Sequence, residues 1–234
     1  MIYYDHLNLS EEILKALAEL NIDYVFQPIF ESDGKTIYAR EALMRPKEMS
    51  VTELIDVYTE KDELHTLEIA TFFGAMQAYQ LRGYTEKVAI NSFPCESMSA
   101  SEGKVFDDYF GDVKGKLIVE LLEYPRFSLN HWIEKRDVVI DKNNIVSLDD
   151  YGTGINDMDR VIFMQPGIVK LDRSLISDVD KDVYKQANVK EVIDMLHLMN
   201  KIVVAEGVET KEEFEYLKEL GADLFQGYYL ARPA

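Results

Sequence analysis

Eight short runs of apolar and β-branched residues recur along the chain: "YVFQPIF", "TIYAREAL", "VAINSF", "LIVELLE", "IVSLDD", "IVKLD", "IVVAEG" and "LFQGYYL". Their length and composition predict strands. Between most of them the apolar positions change to a helical period, most clearly in "ELHTLEIATFFGAMQAYQL" and "VYKQANVKEVIDMLHLMN". "KEEFEYLKEL" is followed by Gly221, a usual helix stop. Strand and helix alternating over eight strands predict an α/β chain folded as a (β/α)8 TIM barrel rather than an open doubly wound sheet. One connection breaks the rule. The first two runs are joined only by "ESDGK", too short for a crossover helix but suited to a hairpin turn at Asp33 and Gly34. The expected fold is therefore a modified barrel with an antiparallel first strand. Residues 1–23 read as a helical leader packed on the barrel, with a helix in "SEEILKALAEL". Ser10 is its cap, and Glu11 and Glu12 stand in the first turn, where the helix dipole favours acids. Residues 24–234 show no linker or repeat and read as one barrel domain.

Composition narrows the chemistry. The 47% apolar content is that of an ordinary globular core. A formal net charge of −18 repels polyanions, so nucleic acid polymers are not expected as partners. A small anion can still bind if cations reverse the field within one pocket. No apolar stretch reaches the roughly 18 residues of a membrane span, and "MIYYDHLNLSEE" has no signal-peptide pattern. With the single Cys95, the expectation is a cytoplasmic location without membrane insertion. His6, His65, His131 and His197 form no sequence-close cluster, which argues against zinc. The acids and amides suit a harder ion such as magnesium or manganese.

From the second strand onward, each run is interrupted or ended by a polar residue: Glu41, Asn91, Glu120, Asp149 with Asp150, Lys170, Glu206 and Gln226. In a barrel of parallel strands these ends converge on one rim, where barrel enzymes place their chemistry. The result is a carboxylate-rich cup with one lysine and two amides. Taken singly, each residue has a plainer reading. A glutamate at a strand end can be a solvated charge, Asn91 can satisfy loop backbone groups, Lys170 can pair with Asp172, and Gln226 can cap a strand edge. Asp149 and Asp150 carry more information, because consecutive strand residues point to opposite faces. Both reach one site only if the strand ends there, and "YGTG" is expected to end it.

The segments "YVFQPIF", "AREALMRP", "VAINSFP", "VELLEYP", "SLDDYGTG", "IVKLDRSLI", "VVAEGVET" and "LFQGYYLARP" resemble, in order, the signature blocks of EAL-domain phosphodiesterases, which hydrolyse the bacterial second messenger cyclic di-GMP. That resemblance covers roughly residues 24–233, and eight ordered blocks are far more specific than any single motif. It implies a barrel with an antiparallel first strand, hydrolysis of cyclic di-GMP to the linear dinucleotide 5'-pGpG, two Mg²⁺ or Mn²⁺ ions, and a homodimer. Two divalent ions about 3.5–4 Å apart can both generate a nucleophile and neutralise the transferring phosphoryl group. The same ions would offset the repulsion between Asp149 and Asp150.

By resemblance, one ion would be held by Glu41, Asn91, Glu120 and Asp149, and the second by Asp149, Asp150 and Glu206. Lys170 would stabilise developing negative charge. Catalytic support would come from Glu206, from Gln226 orienting water or substrate, and from Glu209 beside Lys170 or the metal shell. Substrate contacts would be made by Gln27, Glu41, Leu43, Arg45, Asn91, Asp149 and Gln226, with Arg45 on a phosphate. Glu123 would hold the loop Gly152 to Asp159, which shapes the metal site and the dimer contact. Arg173 reads as a solvated rim charge. Two positions depart from the family pattern: Ser92, Phe93 and Pro94 after Asn91, and Leu122 where threonine is usual. An alternative therefore stands beside the enzyme, an EAL-like receptor that keeps the pocket, turns over weakly or not at all, and binds cyclic di-GMP or a protein partner.

Overall fold

Asp33 closes the first connection. Its carboxylate accepts the Lys35 and Thr36 amides at 2.8 Å each and the Thr36 hydroxyl at 2.7 Å, while Gly34 takes the left-handed φ of +66° that the turn requires. The turn joins β1 (Ile22–Glu31) to β2 (Ile37–Pro46) as an antiparallel pair in which Gln27 faces Glu41. These observations come from a computed structural model that describes residues 7–111 and 113–234. The first six residues of the leader, His6 among them, lie outside the described residues.

Six further strands follow: β3 (Lys87–Ser92), β4 (Leu117–Leu121), β5 (Ile145–Tyr151), β6 (Ile168–Leu171), β7 (Ile202–Glu206) and β8 (Leu224–Gln226). They close with β1 and β2 into one barrel in sequence order. Pairs from β2–β3 to β7–β8 are parallel, and β1 is antiparallel to both β2 and β8. The fold is thus the modified barrel that strand spacing and the short first turn predict. Two strands differ from their apolar runs. β8 stops at Gln226, four residues short of the end of "LFQGYYL". Gly227 stops it: at φ +159° its missing side chain lets the chain pass the Val208 backbone, which a β-carbon there would approach to 2.1 Å.

β5 differs the other way. It runs on past both aspartates to Tyr151, which pairs with Leu171, and its register slips between Leu148 and Tyr151. Asp150 sits in that bulge with φ +51°, so the side-chain alternation is broken inside the strand rather than by its ending.

Helices α1 (Glu11–Glu19), α2 (Val51–Glu60), α3 (Leu64–Leu81), α4 (Ala100–Phe110), α5 (Leu129–Asp141), α6 (Met158–Met164), α7 (Arg173–Ile176), α8 (Val183–Leu198) and α9 (Lys211–Leu220) surround the barrel. Ser10 caps α1 by accepting the Ile13 amide at 3.3 Å. Ser50 with Glu53, Ser99 with Glu102 and Thr210 with Glu213 form reciprocal capping boxes that start α2, α4 and α9. α3 is buried on most of its circumference, because α1 packs over the side that the barrel leaves open. None of the described helices is long and apolar enough to cross a membrane.

Inside the barrel, Ile29, Ala39, Ala89, Ile118, Ile168, Val204 and Leu224 form an apolar plug. Alternate strand residues share a face. Two positions beyond the plug, toward the carboxyl ends of the parallel strands, the same inner face therefore presents Glu41, Asn91, Glu120, Lys170, Glu206 and Gln226. On β5 the buried Ser147 precedes Asp149 in the same way.

Candidate active site

Lys170 stands at the centre of this polar layer with 0% of its surface exposed. Its ammonium lies 2.9 Å from Asp149 Oδ1, 3.2 Å from Glu206 Oε2, 3.3 Å from Glu41 Oε2 and 3.5 Å from Glu120 Oε1. Gln226 donates to Glu41 Oε2 at 2.6 Å, and the Asn91 amide approaches Glu41 Oε1 at 3.4 Å. The strands from β2 to β8 thus each send at least one polar residue to one place, the convergence that the barrel predicts for the strand ends. The plainer reading of Lys170 as Asp172's partner does not hold, since Asp172 caps α7 by accepting the Ser174 amide at 2.8 Å.

The cluster contains more negative charge than its one ammonium can balance. Burial, then repulsion from Glu41, Asp149 and Glu206, raises Glu120 well above the ordinary carboxylate range despite the pull of Lys170. Glu206 is raised well above that range by burial first and by Asp149 and Glu41 next. Asp150 is pushed up to about 6 by burial and the adjacent Asp149. Burial by itself would lower Lys170, but Asp149, Glu120, Glu206 and Glu41 outweigh it and hold the ammonium protonated well above its usual range.

Several buried oxygens here have no hydrogen-bond donor: Asn91 Oδ1, Glu120 Oε2 and Gln226 Oε1. Asp149 Oδ1 and Glu206 Oε2 also lack one, so their approaches to Lys170 are charge contacts without hydrogen-bond alignment. Asp149, Asp150 and Glu206 each offer an oxygen, all within 4.8 Å of one another. Buried acceptors without donors, in an acidic cluster of oxygen ligands, fit hard divalent cations.

The remaining predicted residues divide. Arg45 is exposed at the rim, its Nη1 on the Met44 carbonyl at 2.9 Å. Leu43 lies two residues beyond Glu41 on the same face, half-buried. Gln27 is buried opposite Glu41 and donates to the Ala231 carbonyl at 3.2 Å. Glu123 reaches the loop after β5: its Oε1 accepts the Ile155 amide at 3.3 Å, and a β-carbon on Gly154 would lie 1.7 Å from that oxygen. Glu209 is not brought to Lys170. Its carboxylate pairs with Arg173 at 2.8 Å.

Arg173 is correspondingly not a solvated rim charge. Its guanidinium also donates to the Gly207 carbonyl, just after Glu206, and lies 3.5 Å from Glu213. An arginine packed against a glycine with φ +78° leaves no periodic trace in the sequence. Asn156 was missed for a similar reason. It is buried and donates to the Asp149 carbonyl at 2.8 Å, tying the loop to the cluster; an Asn following "YGTGI" was its only signal. Leu122 packs with Phe93, Leu64 and Tyr124 in a side cluster beneath α2 and α3.

Comparison with known proteins agrees with this geometry. The cyclic di-GMP-bound structure of a standalone EAL protein from Vibrio cholerae O395 superposes with a TM-score of 0.81 at 25% identity, covering 92% of this chain and 93% of that one. Klebsiella pneumoniae BlrP1 with manganese and the same nucleotide superposes with a TM-score of 0.78 at 25% identity, over 91% of this chain and 56% of that one. Among curated proteins, the probable cyclic di-GMP phosphodiesterase PdeD of Escherichia coli K12 is 26% identical over 97% of this chain, which spans only 44% of PdeD. The EAL domain model matches residues 10–233, and the chain belongs to the EAL domain family.

Proposed function

We propose that this chain hydrolyses cyclic di-GMP to linear 5'-pGpG with two divalent ions, Mg²⁺ or Mn²⁺. The observation that carries the reading is the buried set of donor-free oxygens around Lys170, which a cyclic dinucleotide phosphodiesterase needs and a plain binding pocket does not. Glu41, Asn91, Glu120 and Asp149 would hold one ion and Asp149, Asp150 and Glu206 the other. When bound, such ions supply Lewis acidity and an activated water. The chain's own residues do the rest. Lys170, held protonated by four carboxylates, offers a fixed positive charge to the phosphoryl oxygens as charge develops on them, without reorganisation. Gln226, anchored on Glu41, orients a polar group at the floor of the cup. Arg45 at the open rim, held among the described residues only by its neighbour's carbonyl, would turn onto a phosphate, while Leu43 and Gln27, the latter opposite Glu41, would contact the nucleotide deeper in the cup. Glu123 accepts from the loop after β5, and Asn156 ties that loop to the Asp149 carbonyl on the strand.

The homodimer expected from the family finds support in one surface. Ile155, Ile162 and Phe163 on α6 and its preceding loop are exposed, and Phe127 meets Phe163 edge-on at 5.6 Å. An apolar patch of this kind favours self-association.

Turnover of cyclic di-GMP, followed by separation of 5'-pGpG, tests the enzyme. We expect hydrolysis with Mg²⁺ or Mn²⁺ and none in chelator. Nucleotide binding without any product in either metal would replace the enzyme by the receptor.

A further inference from the structure

Outside the barrel, a cavity of about 370 Å³ opens between α4 and α5, over β4 and one end of α3's buried face. Phe72, Met98, Phe106, Leu117 and Val139 supply its walls. That volume is in the range of small-molecule sites, which are mostly apolar with few polar groups. A second observation concerns α4. Gly103 lies within this helix and lines the cavity, yet it has no left-handed φ and a β-carbon there would meet nothing within 4 Å. Glycine weakens a helix interior relative to alanine. Neither backbone conformation nor crowding calls for it here, and the space beside it is open to a side chain from this position.

The polar groups around the cavity decide what it can hold. At its floor lie Lys135 and Glu68, 7% and 1% exposed. The Lys135 ammonium is shared among Glu68 Oε1 at 2.9 Å, the Phe93 carbonyl at 2.6 Å and the Ser92 hydroxyl. The more exposed cations are also paired, Lys104 with Asp108 along α4 at 2.5 Å and Lys142 with Asp107 across the opening at 2.6 Å. Among the described residues, no lining residue has a buried side-chain donor or acceptor left without a partner. A charged ligand would lose its hydration here and find no free counter-group. An uncharged apolar one would give up little hydration on entering.

We propose that this cavity is a binding site for an uncharged, largely apolar small molecule. Its floor touches the end of the strand that presents Asn91, since Ser92 and Phe93 hold Lys135. The site does not depend on the phosphodiesterase reading and is tested without it.

The neutral fluorophore N-phenyl-1-naphthylamine is titrated into the whole chain, beside the anionic 8-anilinonaphthalene-1-sulfonate. We expect saturable one-to-one binding of the neutral probe, weaker binding of the anion, and a loss of affinity of roughly tenfold or more in Gly103→Leu, which fills the space from within α4. Gly103→Leu should melt no lower than the parent chain, and Val139→Phe fills the cavity from α5 as an independent check. Three results each overturn the proposal: no saturable binding of the neutral probe, unchanged affinity in either folded variant, or an anionic probe that binds as tightly as the neutral one.

Discussion

Among the described residues two lysines, Lys135 and Lys170, are buried beside carboxylates, and they are buried differently. Lys135, between α3, β3 and α5, has one acid partner and finds three acceptors, while the second oxygen of Glu68 accepts the Phe93 amide at 3.0 Å and the Ser92 hydroxyl donates to the first at 2.6 Å. Every group there is matched. Lys170 faces four carboxylates, with further buried oxygens nearby that have no donor. A closed polar network serves packing, whereas an open one is short of positive charge and holds its carboxylates away from ordinary titration. Burial and ion pairing alone therefore do not mark a functional lysine; the unmatched partners do.

Replacing each lysine by methionine should separate the two most sharply. Lys170→Met is expected to lower turnover by about a hundredfold to a thousandfold, the cost of removing a preorganised charge from a developing anion, with nucleotide affinity changed far less. Steady-state rates alongside equilibrium binding check this, and a loss confined to affinity would make Lys170 a ground-state anchor. Lys135→Met leaves Glu68 buried without its cation and should cost about 3–5 kcal/mol of stability, seen in chemical denaturation. Retained stability there would mean that the closed network is not closed.

A smaller effect should appear in pH. Asp150 has its folded-state value pushed up to about 6, from 3.8. The folded chain therefore binds this proton more tightly than the unfolded one. Without divalent ions its contribution to stability should be greatest near pH 4 and decline as pH rises through 6. Divalent ions need the ionised carboxylate, so their stabilisation should fade as pH drops below 6. Melting curves between pH 4 and 8, with and without Mn²⁺, test both trends, and Asp150→Asn should remove its share of each. The smallest change is expected at Leu122. Its side chain packs beside Phe93, so Leu122→Thr should destabilise by about 1 kcal/mol through lost apolar contact and leave the rate nearly unchanged. An increase in rate would show that the loop after β5 lacks a hydrogen bond that threonine restores.

Much of the cup was legible before any coordinates. Glu41, Asn91, Glu120, Asp149, Lys170, Glu206 and Gln226 each interrupt or end an apolar run, and the two-residue repeat of a strand, repeated around a barrel, places such residues at one level. The hairpin at Asp33 and Gly34 was legible too, because a two-strand connection of five residues admits few geometries. Arg173 was not. Its role depends on Gly207 and Glu209, in the loop after β7 and more than 30 residues away, and no local pattern reports a contact of that kind.

By itself, then, the sequence determined the alternation of strand and helix, the antiparallel start, and the set of acids, amides and lysine that shares the barrel mouth, because these follow from local periodicity and turn chemistry. Tertiary structure decided the rest. The bulge that turns Asp150 out of strand alternation, the guanidinium that draws Glu209 away from Lys170, and the open space beside Gly103 all arise where segments distant in the chain compete for the same volume and the same hydrogen bonds. Such competition is settled only once the barrel has closed.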